Sequence, residues 1–291
     1  MIVTLAVVRL LLYVGLTLPC MPIQAVLVAI GARASVGFAQ GYHRLVCRIF
    51  GINLDVRGSL AKDKPLLIVA NHTSYLDIEI LGALVRGSFV AKAEVATWPL
   101  FGWLAKLQRT VFVDRRPSQA GKQKDAITQR LEKGERLILF PEGTTSDGNR
   151  VLPFKRALFA VAQQPVGGKP LAVQPVSVAY AGFSNLPMDR DMRATFAWYG
   201  DMELAPHAWR FLGAGTLTVV VQFHPVVTIE DAGGDRRKLA AMCEETISEG
   251  VATALAGALP AKTRRRFAHL RRKTDGGKGG DSSPARTSAH G

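Results

Sequence analysis

The residues best suited to chemistry are a histidine and an aspartate in one segment and an acid followed by glycine in another. His72 and Asp77 are separated by four residues and follow the apolar run at residues 65–70. Glu142 and Gly143 follow a second apolar run, at residues 136–140. A histidine oriented by a carboxylate is a general base, typically worth about 10²- to 10⁴-fold in rate. These residue types are those of an acyl-transfer site.

The spacing of His72 and Asp77 sets a condition on where the following helix begins. Five residues of helix rotate by about 500°, so the two side chains would not share a face within one helix. If His72 precedes the helix and Asp77 lies in its first turn, with Thr73 or Ser74 near the N-cap, the carboxylate reaches one imidazole nitrogen. The other nitrogen is then free to act as a base. The alternative is a hydrogen-bonded loop histidine beside an acid that the helix dipole favours.

The rest of the sequence narrows the reaction type. No Gly-x-Ser-x-Gly nucleophile elbow occurs, so the attacking hydroxyl is expected to come from the substrate, which predicts a transferase. The three cysteines are scattered, and His43 and His207 have no ligand-spaced partners, so neither a metal nor another cofactor is expected.

Between residues 51 and 260 the chain alternates between strand and helix patterns. The predicted class is α/β, with a mixed sheet flanked by helices and some antiparallel strands late in the chain. Ligands collect beyond the carboxyl ends of strands in such sheets, where both segments lie. Strands are predicted at 65–70, 89–91, 110–113, 136–140, 171–180, 194–199 and 216–223, and helices at 74–85, 95–107, 118–133, 154–163 and 235–255.

Residues 1–50 are predicted to form a membrane-anchoring helical segment. They contain no acid, and the 23 residues from Leu10 to Ala32 carry no charge. At about 1.5 Å per residue, such a helix could cross a core of roughly 30 Å. Pro19 and Pro22 would kink a span, so a re-entrant or monotopic hairpin is one alternative, and a cleaved signal peptide is another. The excess of arginine after the run predicts a catalytic domain on the cytoplasmic face of the inner membrane.

Positive charge is concentrated at the other end of the chain. Of the net charge of +14, half lies in residues 262–291, where nine Lys and Arg residues stand against two Asp. We expect residues 261–291 to be a basic, largely disordered tail. Its cluster at 264–273 favours an anionic membrane surface, at about 1 kcal/mol per basic residue. Nucleic acid is not expected as a partner, because the cluster has one aromatic residue and no nucleic-acid-binding motif surrounds it.

Four short blocks occur in the order and spacing of a known family. They are His72 with Asp77, residues 111–115 (VFVDR), residues 140–144 (FPEGT) and residues 173–177 (VQPVS). In these blocks the chain resembles the glycerolipid acyltransferases, typified by 1-acylglycerol-3-phosphate acyltransferase. The resemblance implies that fold, and transfer of a fatty acyl group from an acyl-carrier-protein or coenzyme A thioester to a lysolipid hydroxyl. It makes His72 the base and Asp77 its orienting partner.

The chain departs from this family at two positions. Arg109 stands where the second block normally opens with glycine, and Thr145 stands where the third block commonly has arginine. Because arginine is the usual bidentate partner of phosphate, its loss at 145 weakens the expectation of a phosphate-bearing acceptor. Arg109 is expected to replace it or to bind a carboxylate. The resemblance assigns the remaining acceptor pocket to Arg115, Glu142, Gly143 and Thr144.

Three longer stretches look like one branch of the family, which acylates lyso-ornithine lipid. Its headgroup has one carboxylate and one ammonium, so its site needs a cation and an acid. Arg109 or Lys155 is the expected cation, and Glu142 or Asp147 is the expected acid. Donors from Gly143 and Thr144, or from a helix N-terminus, are expected to stabilise the oxyanion. The stretches are residues 88–95, 146–155 and 198–202.

The favoured function is therefore a membrane O-acyltransferase that makes ornithine lipid. A 1-acylglycerol-3-phosphate acyltransferase is the alternative, and a non-catalytic lipid-binding protein of the same fold is a further one. The expected partners are the membrane lipid acceptor and acyl carrier protein, whose acidity suits a basic surface, although coenzyme A is anionic too. The apolar residues 98–103, with two tryptophans, are expected to face lipid.

Overall fold

The centre of the molecule is an eight-stranded mixed β-sheet. The computed structural model describes residues 2–113 and 120–257. The strands are β1 (Ile52–Arg57), β2 (Leu66–Ala70), β3 (Ser88–Lys92), β4 (Val111–Val113), β5 (Arg136–Leu139), β6 (Ala172–Phe183), β7 (Leu186–Pro187) and β8 (Leu217–Phe223). Their order is β1-β8-β6-β2-β5-β3-β4, with β7 paired to β6. β6 is antiparallel to β7 and β8, and the other neighbours are parallel.

Helices cover both faces of this sheet. Two short 3-10 helices, Ala93–Thr97 and Arg156–Gln163, lie in the connections after β3 and β5. The α-helices are α1 (Ile2–Ala29), α2 (Ala34–Ile49), α3 (Leu76–Leu84), α4 (Phe101–Leu107), α5 (Ala120–Glu132), α6 (Arg190–Phe196), α7 (Leu204–Gly213) and α8 (Arg236–Ala256).

The central strand β2 is apolar because helices cover it on both sides. All five of its residues are buried. Side chains alternate between the two faces of a strand. Ile68 accordingly belongs to the same core cluster as Ile80 of α3, whereas Val69 belongs to the cluster that contains Leu239 of α8. Polar side chains that could take part in a reaction therefore occur in the loop that follows β2 and not within the strand.

The predicted α/β class with a mixed, helix-flanked sheet is confirmed, but one predicted strand is wrong. Residues 194–199 overlap α6, which the Asp189 side chain caps by accepting a bond from Met192 N at 2.7 Å. The cap favours a helix although the segment is rich in aromatic residues. The predicted helix at 154–163 is a 3-10 helix, and the one at 95–107 divides at residues 98–100. Neither β1 nor α7 was expected.

Among the described residues, α1 is the helix that is long and apolar enough to cross a membrane. It continues as one helix of 28 residues through Pro19 and Pro22. Many of its large apolar side chains are exposed, including Leu11 at 66% and Leu18 at 62%. An exposed apolar surface of this kind indicates membrane association.

The opposite side of α1 contacts the α/β part over much of its length. Near its start, the guanidinium of Arg9 donates to Ala214 O at 2.7 Å, at the carboxyl end of α7. Near its end, Gln24 Nε2 donates to Leu107 O at 2.9 Å, at the end of α4. These contacts are 15 residues apart, or about 22 Å of helix. α1 thus lies against the α/β part rather than extending away from it.

Candidate active site

The two segments singled out in the sequence meet at the carboxyl ends of the central strands. His72 follows β2 and Glu142 follows β5, which is the parallel neighbour of β2. The backbone N–H of His72 donates to Glu142 Oε1 at 2.8 Å. The backbone N–H of Ser146 donates to His72 O at 2.9 Å. The loops after β2 and β5 are therefore joined on both sides of the histidine.

The contact expected between His72 and Asp77 is present. α3 begins at Leu76, so Asp77 lies in its first turn while His72 precedes the helix. Asp77 Oδ2 lies 2.8 Å from His72 Nδ1 and accepts backbone bonds from Thr73 at 2.7 Å and Ser74 at 3.0 Å. The N-cap position of α3 is Tyr75, not Thr73 or Ser74 as expected, and the carboxylate binds the loop before the helix while it orients the imidazole. The catalytic roles of the two residues remain predictions.

Tyr180 of β6 is a site residue that the sequence reasoning missed. Its hydroxyl donates to Asp77 Oδ1 at 2.9 Å. Burial raises the pKa of Tyr180, so the hydroxyl stays protonated and acts as a donor. Asp77 is fully buried, and with Tyr180 its two oxygens have four donors. A buried carboxylate is tolerated when its oxygens are satisfied in this way.

The ring of His72 is held by stacking, and one of its nitrogens remains for a substrate. It stacks on Phe140, with ring centroids 4.0 Å apart and an interplanar angle of 13°. Its side chain is 20% exposed. Since Nδ1 faces Asp77, Nε2 is the nitrogen placed to accept a proton from a bound hydroxyl. This is the geometry of a general base oriented by an acid.

Asn71 fixes the loop that carries His72 to the neighbouring strand. Its amide nitrogen donates to Val178 O, and its amide oxygen accepts from Val178 N, both at 2.8 Å. β2 pairs with β6 as far as Ala70 and Val176, so the Asn71 side chain continues the pairing beyond the last strand residue. An apolar residue at 71 would leave two buried backbone groups unpaired.

Glu142 was predicted to bind the acceptor, but both of its oxygens are bonded to the backbone. Oε1 accepts from His72 N, and Oε2 accepts from Leu152 N at 3.0 Å. The residue is 2% exposed, and this burial raises its pKa to about 8. Glu142 is therefore placed to hold the loop around His72 rather than to contact a headgroup.

The raised pKa of Glu142 makes the folding stability depend on pH. The folded protein holds this proton up to about pH 8, whereas the unfolded chain releases it near 4.5. Its contribution is therefore fully present below pH 4.5 and is lost as pH rises to 8, at about 1 kcal/mol per pH unit. Denaturant unfolding of wild type and Glu142→Gln from pH 5 to 9 measures this contribution to the free energy of unfolding.

The unfolding free energy of wild type minus that of Glu142→Gln should fall as pH rises toward 8, because the wild-type carboxyl loses its favourable protonated state and glutamine cannot ionise. Glu132→Gln, which removes an exposed carboxylate on α5, is the control. Parallel curves for wild type and Glu142→Gln would contradict the assignment of the proton to Glu142.

Gly143 forms a turn, and its amide is not available as the expected oxyanion donor. Its φ of 66° lies in the left-handed region that favours glycine, and its N–H donates to Phe140 O at 3.1 Å. The amides of Thr73 and Ser74, in the loop before α3, donate to Asp77. Thr144, which is exposed at the turn, is the remaining member of the expected donor set.

Arg109 does not lie with the other predicted site residues. Its guanidinium donates to Glu135 Oε1 at 2.8 Å. Glu135 precedes β5 and Arg109 precedes β4, so both lie at the amino edge of the parallel strands. The site lies at the carboxyl edge, beyond a strand of four or five residues, or about 15 Å. The structure therefore separates Arg109 from His72.

Lys155 lies at the carboxyl edge of the parallel strands, as His72 does. Its backbone N–H donates to Pro141 O at 2.9 Å, and its side chain is exposed. Arg115, the other predicted cation, lies outside the described residues, as does the basic tail.

The two histidines without predicted ligands have other partners. His43 Nδ1 lies 2.7 Å from Glu79 Oε2, and His207 Nδ1 lies 3.2 Å from the hydroxyl of Tyr75. Within the described ranges, no group of three or more His, Cys, Asp or Glu side chains is placed to hold a metal. The expectation of no resident cofactor stays a prediction.

Comparisons with known proteins agree on one family. The family model described as Acyltransferase matches residues 53–179, which include both loops. The chain is 42% identical over 248 residues to the lyso-ornithine lipid O-acyltransferase of Brucella abortus, covering 84% of this chain and 92% of that one. The protein of that name from Rhizobium meliloti is 38% identical, with 85% and 86% covered. The 1-acyl-sn-glycerol-3-phosphate acyltransferase of Neisseria gonorrhoeae is 34% identical, with 69% and 75% covered.

A solved structure is similar in fold. The 1-acyl-sn-glycerophosphate acyltransferase of Thermotoga maritima superposes with a TM-score of 0.63 at 23% identity, covering 87% of this chain and 96% of that chain. At this identity the likeness concerns the fold alone, and it agrees with the α/β sheet flanked by helices that the sequence predicts.

Proposed function

This chain belongs to the acyltransferase family that includes the lyso-ornithine lipid O-acyltransferases, and we propose that it transfers a fatty acyl group to the hydroxyl of lyso-ornithine lipid. The donor is an acyl thioester and the product is ornithine lipid. The observation that carries the proposal is the 2.8 Å contact of His72 with Asp77, in a chain 42% identical to a protein of that name.

In the proposed step, the lysolipid hydroxyl attacks the thioester carbonyl directly. His72 Nε2 accepts the hydroxyl proton as the new C–O bond forms. The tetrahedral intermediate then collapses, the C–S bond breaks, and the imidazolium returns the proton to the leaving thiolate. The products are the ester and a free thiol, and the enzyme is unchanged. Asp77 stabilises the imidazolium through Nδ1 during the step.

The headgroup is assigned from the charged residues near this base. Thr145 stands at the position where arginine, the bidentate phosphate partner, is common in the family. We assign Lys155, exposed at this edge of the sheet, to the acceptor carboxylate, and Asp147, partly exposed in the same loop region, to the acceptor ammonium. Glu142 is not assigned, because it is buried and its oxygens are bonded to the backbone. The oxygens of Asp147 accept from Asn149 N at 3.0 Å and Asn149 Nδ2 at 3.3 Å, but this carboxylate is partly exposed and can accept further bonds.

A second candidate function is acylation of 1-acylglycerol 3-phosphate to phosphatidic acid. It is favoured by the 34% identity to the Neisseria gonorrhoeae protein of that activity. A non-catalytic lipid-binding protein of the same fold is the third possibility, and it predicts binding without turnover.

Purified protein offered lyso-ornithine lipid and lysophosphatidic acid side by side, with acyl carrier protein or coenzyme A thioesters, separates the three. We expect lyso-ornithine lipid to be acylated with the higher kcat/KM. Lys155→Ala should raise KM for that acceptor, with exposed Lys133→Ala as the control. Acylation of the phosphate-bearing acceptor alone would establish the second function, and binding without acylation would establish the third.

We propose acyl carrier protein as the carrier of the acyl donor. The net charge of +14 supports an acidic partner, because opposite charge increases the rate of encounter. The rate with the carrier-protein donor should therefore fall as salt is added, which the same assay measures. The basic tail at 261–291 is assigned to the anionic membrane surface.

The enzyme is proposed to act at the cytoplasmic face of the inner membrane, with α1 lying in the membrane plane. Two observations support this arrangement. Arg9 and Gln24 bond one side of α1 to the α/β part, while the other side exposes apolar residues. Beside α1, Trp98, Phe101 and Trp103 are also exposed and would enter the same lipid layer.

An in-plane α1 predicts that both of its ends can be labelled from one side of the membrane. The test uses Val3→Cys, near the start of α1, and Ala34→Cys, which lies just beyond the end of α1 as the first residue of α2, each in a Cys20→Ser background. Both should react with an impermeant maleimide in sealed vesicles whose cytoplasmic face is outward. A spanning helix would place the two positions on opposite faces. Protection of Val3→Cys until the vesicles are permeabilised, with Ala34→Cys labelled throughout, would therefore contradict this arrangement.

A further inference from the structure

A buried cation on α6 contacts two segments that lead to the site, namely β6 and the loop after β5. Arg193 is only 5% exposed. Its Nε donates to Tyr180 O at 3.1 Å, and its Nη2 donates to Met188 O at 2.9 Å. Its Nη1 donates to Asn149 Oδ1. All three nitrogens thus bond to neutral oxygens, on β6, on the turn before α6 and on the loop after β5.

The type of residue at this position indicates a geometric role. Burying a guanidinium costs free energy unless its donors are satisfied, and an apolar side chain would fill the space of its stem without that cost. A guanidinium also has donors in fixed directions within one plane. Arg193 therefore sets the separation of three chain segments, which an apolar residue could not do.

One of these segments leads to Asp77. Arg193 bonds the backbone carbonyl of Tyr180, and the hydroxyl of the same tyrosine donates to Asp77 Oδ1 at 2.9 Å. A shift of β6 at this residue would move the hydroxyl that holds the carboxylate. The position of Asp77 in turn sets the position of the His72 ring.

A second segment leads to His72. The backbone at Gly148 is packed between Thr73 and Arg193: a Cβ there would lie 3.0 Å from Thr73 Cγ2 and 3.3 Å from Arg193 Cγ. The same loop donates from Ser146 N to His72 O. Arg193 therefore supports the backbone around His72 through the loop after β5 as well as through β6.

We infer that Arg193 is a positioning residue for the His72 and Asp77 pair, holding β6 and the loop after β5 at the separation that the base requires. The inference rests on the proposed function, because it assigns Arg193 no contact with substrate. A displacement of about 1 Å in a catalytic group can cost roughly 10²-fold in rate. A loss of position without a loss of binding lowers kcat and leaves KM nearly unchanged.

Arg193→Met and Arg193→Lys test the inference in the acyl-transfer assay. We expect Arg193→Met to lower kcat by roughly 10²-fold with little change in KM, and Arg193→Lys to recover part of the loss. Arg190→Met is the matched control: it removes an exposed arginine of the same helix but keeps the backbone carbonyl that Asn149 Nδ2 contacts. A double-mutant cycle with Tyr180→Phe should be less than additive, because both residues act through Asp77.

Wild-type kcat for folded Arg193→Met, or strict additivity with Tyr180→Phe, would overturn the inference. If Arg193→Met does not fold, Asn149→Ala removes one partner instead. It should lower kcat in the same direction, and normal kcat for both Asn149→Ala and Arg193→Lys would overturn the inference. Failure of the proposed function is distinguished by His72→Ala: full activity of that variant rejects the function, whereas an inactive His72→Ala beside normal Arg193 variants rejects only the role of Arg193.

Discussion

Replacing His72 with alanine is expected to lower kcat for acyl transfer by about 10²- to 10⁴-fold, the usual contribution of a positioned general base. Without the imidazole, the lysolipid hydroxyl keeps its proton and is a poor nucleophile. The loop should keep its shape, because the backbone groups of His72 that bond Glu142 and Ser146 remain. KM for the acceptor should change little, since the ring is assigned to proton transfer.

The loss in kcat is measured as the rate of ester formation by purified wild type and His72→Ala in the same lipid. Thermal unfolding first shows that the two proteins are equally folded. His224→Gln is a suitable control, because the His224 ring bonds Ser177 Oγ at 2.7 Å on the α8 side of the sheet and has no assigned role. The control should retain most of the wild-type turnover. Wild-type turnover by folded His72→Ala would show that the base lies elsewhere.

Replacing Asp77 with asparagine should cause a loss of similar size, on the order of 10²- to 10⁴-fold in kcat. If the amide oxygen faces His72, the imidazolium that forms in the reaction loses its counter-charge. If the amide nitrogen faces His72, the ring must adopt the other tautomer and presents an N–H to the substrate. Both orientations weaken the base while the volume of the side chain is preserved.

Tyr180→Phe provides the matched comparison for Asp77→Asn. It removes the donor to Oδ1 but leaves the charge and the bonds from His72, Thr73 and Ser74 in place. Its loss in kcat should therefore be clearly smaller than that of Asp77→Asn. Equal losses would indicate that support of the carboxylate, rather than its charge, controls the rate, and unchanged kcat for Asp77→Asn would contradict its role.

The part of the site that the sequence predicts is the part formed by neighbours in the chain. His72 and Asp77 lie five residues apart, and the start of α3 alone brings them together. The two apolar runs predict β2 and β5, and the parallel arrangement then predicts that His72 and Glu142 lie at the same edge. Local geometry and one topological rule were sufficient for this much.

What the sequence did not predict depends on residues that are distant in the chain. Tyr180 reaches Asp77 across 103 residues, and its only local signal is one tyrosine in an otherwise mostly aliphatic strand. Glu142 and Arg109 have the residue types of a headgroup site. Their tertiary partners, two backbone amides and Glu135, decide otherwise. Residue type indicates what a side chain can bind, whereas only the fold decides what it meets.

The prediction of a strand at 194–199 failed for a different reason. Its aromatic residues have high β-propensity, but propensity is a weak guide where packing and capping compete. The Asp189 cap begins α6 just upstream. This helix matters for the site, because α6 carries Arg193.

Acylation of lyso-ornithine lipid with His72 as the base is tested most directly in cells that make this lipid but have no other enzyme to acylate it. The lipids of such cells, expressing either the wild-type chain or His72→Ala to equal membrane levels, are measured by mass spectrometry. Ornithine lipid should accumulate with the wild-type chain and not with the variant. Equal ornithine lipid from both chains would contradict the role of His72. No ornithine lipid from the wild type, together with active phosphatidic acid synthesis, would contradict lyso-ornithine lipid as the acceptor.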